Sequence, residues 1–266
     1  MSVFLEPKET EINTDTFLSA SHLTKHYFNN SRSTEVLKDI CLNLKKGEIL
    51  SIVGFSGCGK STLLRLLAGL IPPSQGKIWI EGKTPVAYRK AGKIGFVFQK
   101  PVLFDWRTVQ ENMLLPAEIS HFSKNLAQQR ALDLLSMVGL EEVEKSYPSQ
   151  LSGGMRQRVA FARSLMIQPK LLLLDEPFSA LDEIIRENLW VDFHQIWQQQ
   201  ELTVVLVTHS IREAVFFADR VLVMSPRPGQ IQGEIEISLP SLRNQSVTVH
   251  PKFIELCEQV RSKLSP

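Results

Sequence analysis

Cysteine is scarce in this chain: Cys41, Cys58 and Cys257 are odd in number and far apart. They supply neither a disulfide framework nor a paired zinc spacing, and a reducing compartment is implied. Long apolar runs are missing as well. The longest, such as Leu171 to Leu174, fall far short of the roughly 18 residues that cross a bilayer, so work at a membrane requires a partner to supply the spanning part. An excess of one charge is also absent, with 30 basic side chains against 28 acidic ones and a net charge of +2. Nucleic-acid binders show a dense positive stripe. Here the short basic run "YRKAGK" (Tyr88 to Lys93) reads as a solvated turn, and no nucleic-acid partner is expected. The opening stretch "MSVFLEPKETEINTDTF" has acids and a proline where a signal peptide needs a positive flank and an apolar run, so no export is expected. Internal repeats and low-complexity segments are not visible.

What remains is the composition of an ordinary globular protein, 43% hydrophobic and 22% charged over 266 residues, long enough to bury a full core. Residues 1–17 are polar and aperiodic and read as a loosely held tail. Beyond them, apolar runs such as "EILSIVG", "KIGFVFQ", "KLLLLDE", "LTVVLVTH" and "RVLVMS" alternate with helical patterns. Runs that are apolar on both faces indicate strands covered by helices on each side, hence an α/β fold with a mainly parallel sheet. Residues 101–168 read as helix only, an inserted all-helical subdomain. Its "TVQENMLL" opens with a Thr108 and Glu111 capping box, and "SKNLAQQRALDLLSMVGL" aligns Leu126, Leu134, Leu135 and Val138 on one stripe. After Met224, "SPRPGQ" punctuates the chain, "IQGEIEISL" reads as an antiparallel edge strand, and residues 241–266 form a helical extension.

Two stretches present backbone N–H groups to an anion. "GFSGCGKST" follows an apolar strand and opens a helix, the context of a P-loop. Its candidate phosphate set is Gly54, Ser56, Gly57, Cys58, Gly59, Lys60, Ser61 and Thr62. The glycines allow a tight loop, Lys60 adds a cation, and Ser61 offers a hydroxyl to Mg²⁺. Cys58 reads as a small loop residue with no redox role. Asp175 and Glu176 emerge from a buried strand, Asp175 suited to Mg²⁺ and Glu176 to orienting or deprotonating water. Gln99, able to reach Mg²⁺ or water, and His209 close two further strands, so all these groups fall on one edge of one sheet. The second stretch, "LSGGMRQR" (Leu151 to Arg158), places Ser152, Gly153 and Gly154 at a helix start. An ordinary glycine-started helix that packs Val159 and Leu165 inward explains the helix, but not Ser-Gly-Gly.

P-loop, Gln99, "LSGGMRQR", "LLLLDEP", "SALD" (Ser179 to Asp182) and His209 occur in the order and approximate spacing of the ATP-binding-cassette ATPases, which the chain resembles over roughly residues 18–240. The resemblance implies a RecA-like P-loop NTPase core with ATP and Mg²⁺ as cofactors. It implies that Ser152, Gly153 and Gly154 serve the γ-phosphate held by another copy or a homologous ATPase subunit, with Asp182 at the dimer interface. Tyr27 matches the position that stacks on adenine, with Phe28 the competing candidate and a core role open for both. Phe55 is bulkier than the residue the family often has in the loop, with no loss of function expected.

In such a family the region after Gln99 receives a helix from a membrane subunit. Leu103, Phe104 and Trp106 are groove candidates, with core packing the equal alternative. "LFDWRTVQEN", "YPSQLSGGM" and "HSIREAVFFADRVLVMSPRPGQI" resemble the importer branch for nitrate, sulfonates and taurine. That branch implies membrane-spanning permease subunits, a solute-binding protein and a peripheral place on the cytoplasmic face of the inner membrane. An exporter or lipid-extraction motor shares the chemistry and stands as the alternative. A soluble cassette protein of DNA repair or translation is disfavoured by the single cassette and the lack of heptads.

Overall fold

The computed structural model describes residues 16–29, 32–120, 123–179, 183–200 and 202–264. Two long strands come first, β1 (Thr16–Asn29) and β2 (Arg32–Lys45), paired antiparallel. β4 (Gln75–Ile80) joins the free edge of β1, giving a three-stranded sheet in the order β2-β1-β4. This sheet is absent from the sequence reading. The stretch read as tail also ends earlier than expected: β1 begins at Thr16, and Phe17 is buried with its ring edge-on to Tyr88.

The second sheet contains β3 (Ile49–Gly54), β5 (Ile94–Val97), β6 (Leu171–Asp175), β7 (Thr203–Thr208), β8 (Arg220–Met224) and β9 (Ile231–Glu236). Their order is β5-β6-β7-β3-β8-β9, parallel throughout except for the antiparallel β8–β9 edge. β3, β6 and β7 are buried along their whole length, as continuous apolar runs require. Alternate side chains serve two cores. Leu172, Leu174, Val204 and Leu206 face a cluster rich in Phe161, Phe178, Phe193, Trp197 and Phe217. Leu171, Leu173, Val205 and Val207 face a cluster shared with Leu18, Ile40, Leu63 and Leu67. The first core lies towards the helical side, the second towards the antiparallel sheet.

α1 (Lys60–Leu67) follows β3 and buries Leu63, Leu64, Leu66 and Leu67. α2 (Pro85–Lys90) starts from Thr84, whose side chain accepts from Ala87 N, with Pro85 at the first helical position. In "YRKAGK" Arg89, Lys90 and Ala91 are exposed and a turn follows at Ala91 and Gly92, in line with a solvated turn, but Tyr88 departs from that reading: it is buried in α2 and its hydroxyl donates to Glu81 Oε2 at 2.9 Å.

Between β5 and β6, which pair directly, the regular elements of the described residues are all helical. α3 (Val109–Ile119) begins with the reciprocal Thr108 and Glu111 box. α4 (Lys124–Met137) and α5 (Gly153–Ser164) complete the group, and the three helices pack on one another. The buried stripe of α4 differs from the expected one. Leu126 is exposed, and Ala127 and Ala131 stand beside Leu134, Leu135 and Val138 instead. The small side chains let α3 and α5 approach, which a leucine-based stripe conceals.

α6 (Glu183–Gln199), α7 (Ile211–Phe217) and α8 (Pro251–Leu264) cover the remaining face, with α8 against α7, β8 and β9. Among the described residues no helix is long and apolar enough to cross a membrane.

Candidate active site

Four neighbouring strands, β5, β6, β7 and β3, point their C-terminal ends the same way and deliver the chemistry. β3 ends at Gly54, and the loop to α1 turns through Gly57 (φ +78°) and Gly59 (φ +108°), conformations that glycine alone adopts without strain. A Cβ on Gly57 would touch nothing within 4 Å, so the loop keeps an open concave face. A Cβ on Gly59 would meet Leu37 at 2.7 Å, because β2 presses on the loop from behind. Ser56 is exposed, Ser61 and Thr62 are half-buried, and Cys58 is buried. Burial pushes the Cys58 thiol up, with the nearby Lys60 opposing, which suits an inert filler.

Lys60 is buried, and its Nζ donates to Gly54 O at 2.8 Å and Phe55 O at 3.1 Å. Next to it the Ser61 hydroxyl donates to Asp175 Oδ1 at 2.8 Å. Asp175 is the last residue of β6 and its carboxyl is raised above the usual range, chiefly by burial; the Ser61 hydrogen bond opposes this and the Glu176 charge adds to it. The Ser61 hydroxyl and the Asp175 carboxylate thus meet directly; with the carbonyl oxygen of Gln99 they would offer oxygen donors alone, the chemistry Mg²⁺ requires.

Glu176 follows directly in a left-handed conformation (φ +48°), its N–H fixed to Val207 O at 2.8 Å. Its Oε2 accepts from Gln99 Nε2 at 2.8 Å and stands 3.2 Å from His209 Nδ1. Gln99 lies just past β5 and His209 just past β7, so the strands on either side of β6 grip one carboxylate oxygen. This carboxylate is 16% exposed, and the imidazole is 60% exposed.

Tyr27 reaches the same end of the molecule through β2. It pairs with Thr34, close to Val36, whose carbonyl is 3.1 Å from a Cβ built on Gly59. Its ring is half-open with Lys25 Nζ 5.2 Å from the centroid, whereas Phe28 is 82% exposed.

Ser152, Gly153 and Gly154 stand at the start of α5. Ser152 caps α5, its hydroxyl accepting from Met155 N at 3.2 Å, and remains exposed. A Cβ on Gly153 would meet nothing within 4 Å. α5 packs on α3, α4 and β5, whereas α1 packs on β2, β3, β6 and β7. Val159 and Leu165 are fully buried. Asp182 lies outside the described residues, and Ser179 Oγ donates to Glu176 O at 3.0 Å. Of the groove candidates, Leu103 packs on the core, Phe104 is half-buried and Trp106 is 73% exposed.

Two supporting features escaped the sequence reading. Glu213 on α7 is buried, and its Oε2 accepts from Thr208 Oγ1 at 3.1 Å, while Thr208 Oγ1 accepts from Ser210 N at 3.0 Å. This network clamps the turn that carries His209. The signal was an acid four residues after His209 in "HSIREA", indistinguishable in sequence from a surface helix charge. The other feature is Gly229, where a Cβ would lie 2.2 Å from Cys58 O. Its N–H donates to Val36 O at 2.9 Å, and its carbonyl accepts from Lys38 N at 3.0 Å. "SPRPGQ" therefore backs the phosphate loop rather than merely ending a strand.

A phosphate loop, a strand-end carboxylate pair and a serine-capped second helix start define an ATP-hydrolysing cassette. The ABC transporter family model matches residues 37–179, and the chain belongs to that family of ATPases, which binds ATP and ADP. Among individual proteins, it is 41% identical to the aliphatic sulfonates import ATP-binding protein of Bacillus cereus, over 93% of this chain and 94% of that one. It is 40% identical to the nitrate import ATP-binding protein of Synechocystis sp., again over 93% and 94%. A solved dimeric ATP-binding cassette in a post-hydrolysis state, bound to ADP and Pi, superposes with a TM-score of 0.76 at 34% identity, covering 84% of this chain and 100% of that one.

Proposed function

We propose that this chain is the ATP-hydrolysing subunit of an importer. It forms an ATP-sandwiched dimer and powers uptake of a small nitrate-, sulfonate- or taurine-like solute through separate membrane-spanning subunits fed by a solute-binding protein. The observation that supports the shared site is the start of α5: exposed at Ser152, capped by that side chain, bare at Gly153, and on a helix that packs on α3, α4 and β5. A helix N-terminus attracts anions through its free N–H groups and dipole, and this one belongs to a different helix from the one that the phosphate loop opens. In the dimer Ser152, Gly153 and Gly154 hold the γ-phosphate gripped by the partner's loop.

Within one site the loop N–H groups and Lys60 grip the phosphates, Tyr27 stacks on the adenine, and Glu176 takes the proton of the attacking water. Gln99 and His209 hold that carboxylate in line by engaging Oε2. Ser61, Asp175 and Gln99 would hold Mg²⁺, which neutralises charge developing on the phosphates. The subunit sits peripherally on the cytoplasmic face of the inner membrane, contacted through the surface around Trp106. The relatives named for sulfonate and nitrate import support the importer reading.

Light scattering on the Glu176→Gln variant tests the shared site. With ATP it should run at twice the monomer mass and with ADP as monomer; a strict monomer with ATP rejects the sandwich. Co-purification of a permease and a solute-binding protein separates import from export.

A further inference from the structure

Away from the nucleotide site, the antiparallel sheet carries a cluster that ATP hydrolysis does not use. His22 on β1 and Asp39 and Cys41 on β2 are all exposed, and their ligand atoms lie within 4.8 Å of one another. His22 Nδ1 is the hub. Asp39 Oδ1 is 2.7 Å from it and Cys41 Sγ 3.8 Å from it. The sulfur is held in place independently, because it also accepts from the His22 backbone N–H at 3.2 Å.

The backbone explains how three such groups meet. Between the pairs Ala20–Leu42 and Leu23–Ile40, β1 has one extra residue, and between Leu23–Ile40 and Lys25–Leu37, β2 has one. Two opposed bulges therefore flank Leu23. His22 (φ +52°) and Asp39 (φ +51°) each occupy the left-handed region, which side-chain-bearing residues rarely adopt. The turned backbone brings His22 across to the face on which Asp39 and Cys41, two apart on one strand, already project.

We propose that His22, Asp39 and Cys41 form a binding site for a borderline divalent cation, Zn²⁺, through Nδ1, Oδ1 and Sγ, with water in the fourth position. Tetrahedral Zn²⁺ with ordinary Zn–N and Zn–S bonds places nitrogen and sulfur about 3.6 Å apart, close to the separation found. The Nδ1–Oδ1 pair only has to open from its direct hydrogen bond. A nitrogen, a sulfur and one carboxylate oxygen select zinc-like ions over Mg²⁺, which prefers oxygen alone. On binding, the Cys41 thiol gives its proton to solvent as the metal–sulfur bond forms, and the imidazole binds in its neutral form. The site is independent of the importer reading, since none of the three residues belongs to the nucleotide machinery.

Cobalt spectroscopy on the full chain, without a histidine tag or nucleotide, tests it. Co²⁺ titration should saturate a sulfur-to-cobalt charge-transfer band at about one ion per chain, and Zn²⁺ should bleach that band. Cys58 and Cys257 are buried, so Cys41→Ser should abolish the band while leaving far-UV dichroism and ATP turnover unchanged. Asp39→Ala should weaken binding by at least roughly tenfold, and Asp175→Asn, which disables any cobalt site beside the phosphate loop, should leave the band intact. Absence of a thiolate band, its survival in Cys41→Ser, or its loss in Asp175→Asn would each overturn the proposal.

Discussion

Lys60 donates from Nζ to two neutral carbonyls of its own loop, acceptors that a phosphate oxygen outcompetes because charge-assisted hydrogen bonds are about twice as strong. The buried ammonium is thus held ready for an anion. Lys60→Ala removes the cation and leaves the glycine turn, so ATP turnover should vanish and nucleotide affinity fall; phosphate release and fluorescent-nucleotide titration read the two effects, and normal turnover refutes the cradle. Glu176 separates chemistry from binding. Glutamine preserves shape and the reach to Gln99 and His209 but removes the base, so Glu176→Gln should lower turnover by about 10²–10⁴-fold with ATP affinity kept. A parallel fall in both would make Glu176 a structural residue.

At the scale of single elements, α5 offers a test in which stability and function move in opposite directions. Nothing lies within 4 Å of a Cβ on Gly153, and alanine in a helix is favoured over glycine by up to about 1 kcal/mol. Gly153→Ala should therefore melt at or above the wild-type temperature while losing ATP-driven dimerisation and turnover. If it melts lower and still hydrolyses ATP normally, the glycine serves its own fold. Helix starts such as Thr108 and Ser152 were legible in the sequence because a cap is local: one side chain and the N–H groups it satisfies lie within four residues. The β2-β1-β4 sheet was not legible. Its paired strands shift register at four points, so the buried side chains Leu18, Ala20 and Leu23 change phase midway and no clean alternation survives. The α4 stripe was misread for a related reason, since Ala127 and Ala131 are buried by close helix approach rather than by their own hydrophobicity.

Across the whole molecule, the four strand ends of the candidate site were legible because three of the strands are apolar runs closed by Gln99, Asp175 or His209, the fourth, β3, opens into the glycine loop, and parallel strands close on the same edge. What packs behind them, Glu213 under His209 and Gly229 behind Cys58, depends on contacts that no local pattern encodes. Two buried titratable groups, His194 on α6 and Glu213 on α7, make stability depend on pH. His194 is held down to about 4 by burial and by the Arg243 charge. The unfolded chain therefore binds its proton first, and His194 makes stability fall as pH drops from about 6.5 towards 4. Glu213 acts in the opposite sense. Burial raises it to about 8, the Thr208 hydrogen bond and Arg186 oppose and the Glu176 charge adds, so the folded state keeps a proton that the unfolded chain has released. Its contribution is full below about 4.5 and is lost as pH rises to about 8. Between pH 4.5 and 6.5 the two trends partly cancel; above that only the Glu213 trend remains. Urea denaturation of the wild type should show stability declining from pH 6.5 to 8 by up to about 2 kcal/mol. Glutamine retains an oxygen for Thr208 and has no proton to lose, so Glu213→Gln should flatten that segment while leaving the acid limb in place. Equal slopes in the two proteins would mean that Glu213 is ionised in the fold, with Arg186 neutralising it.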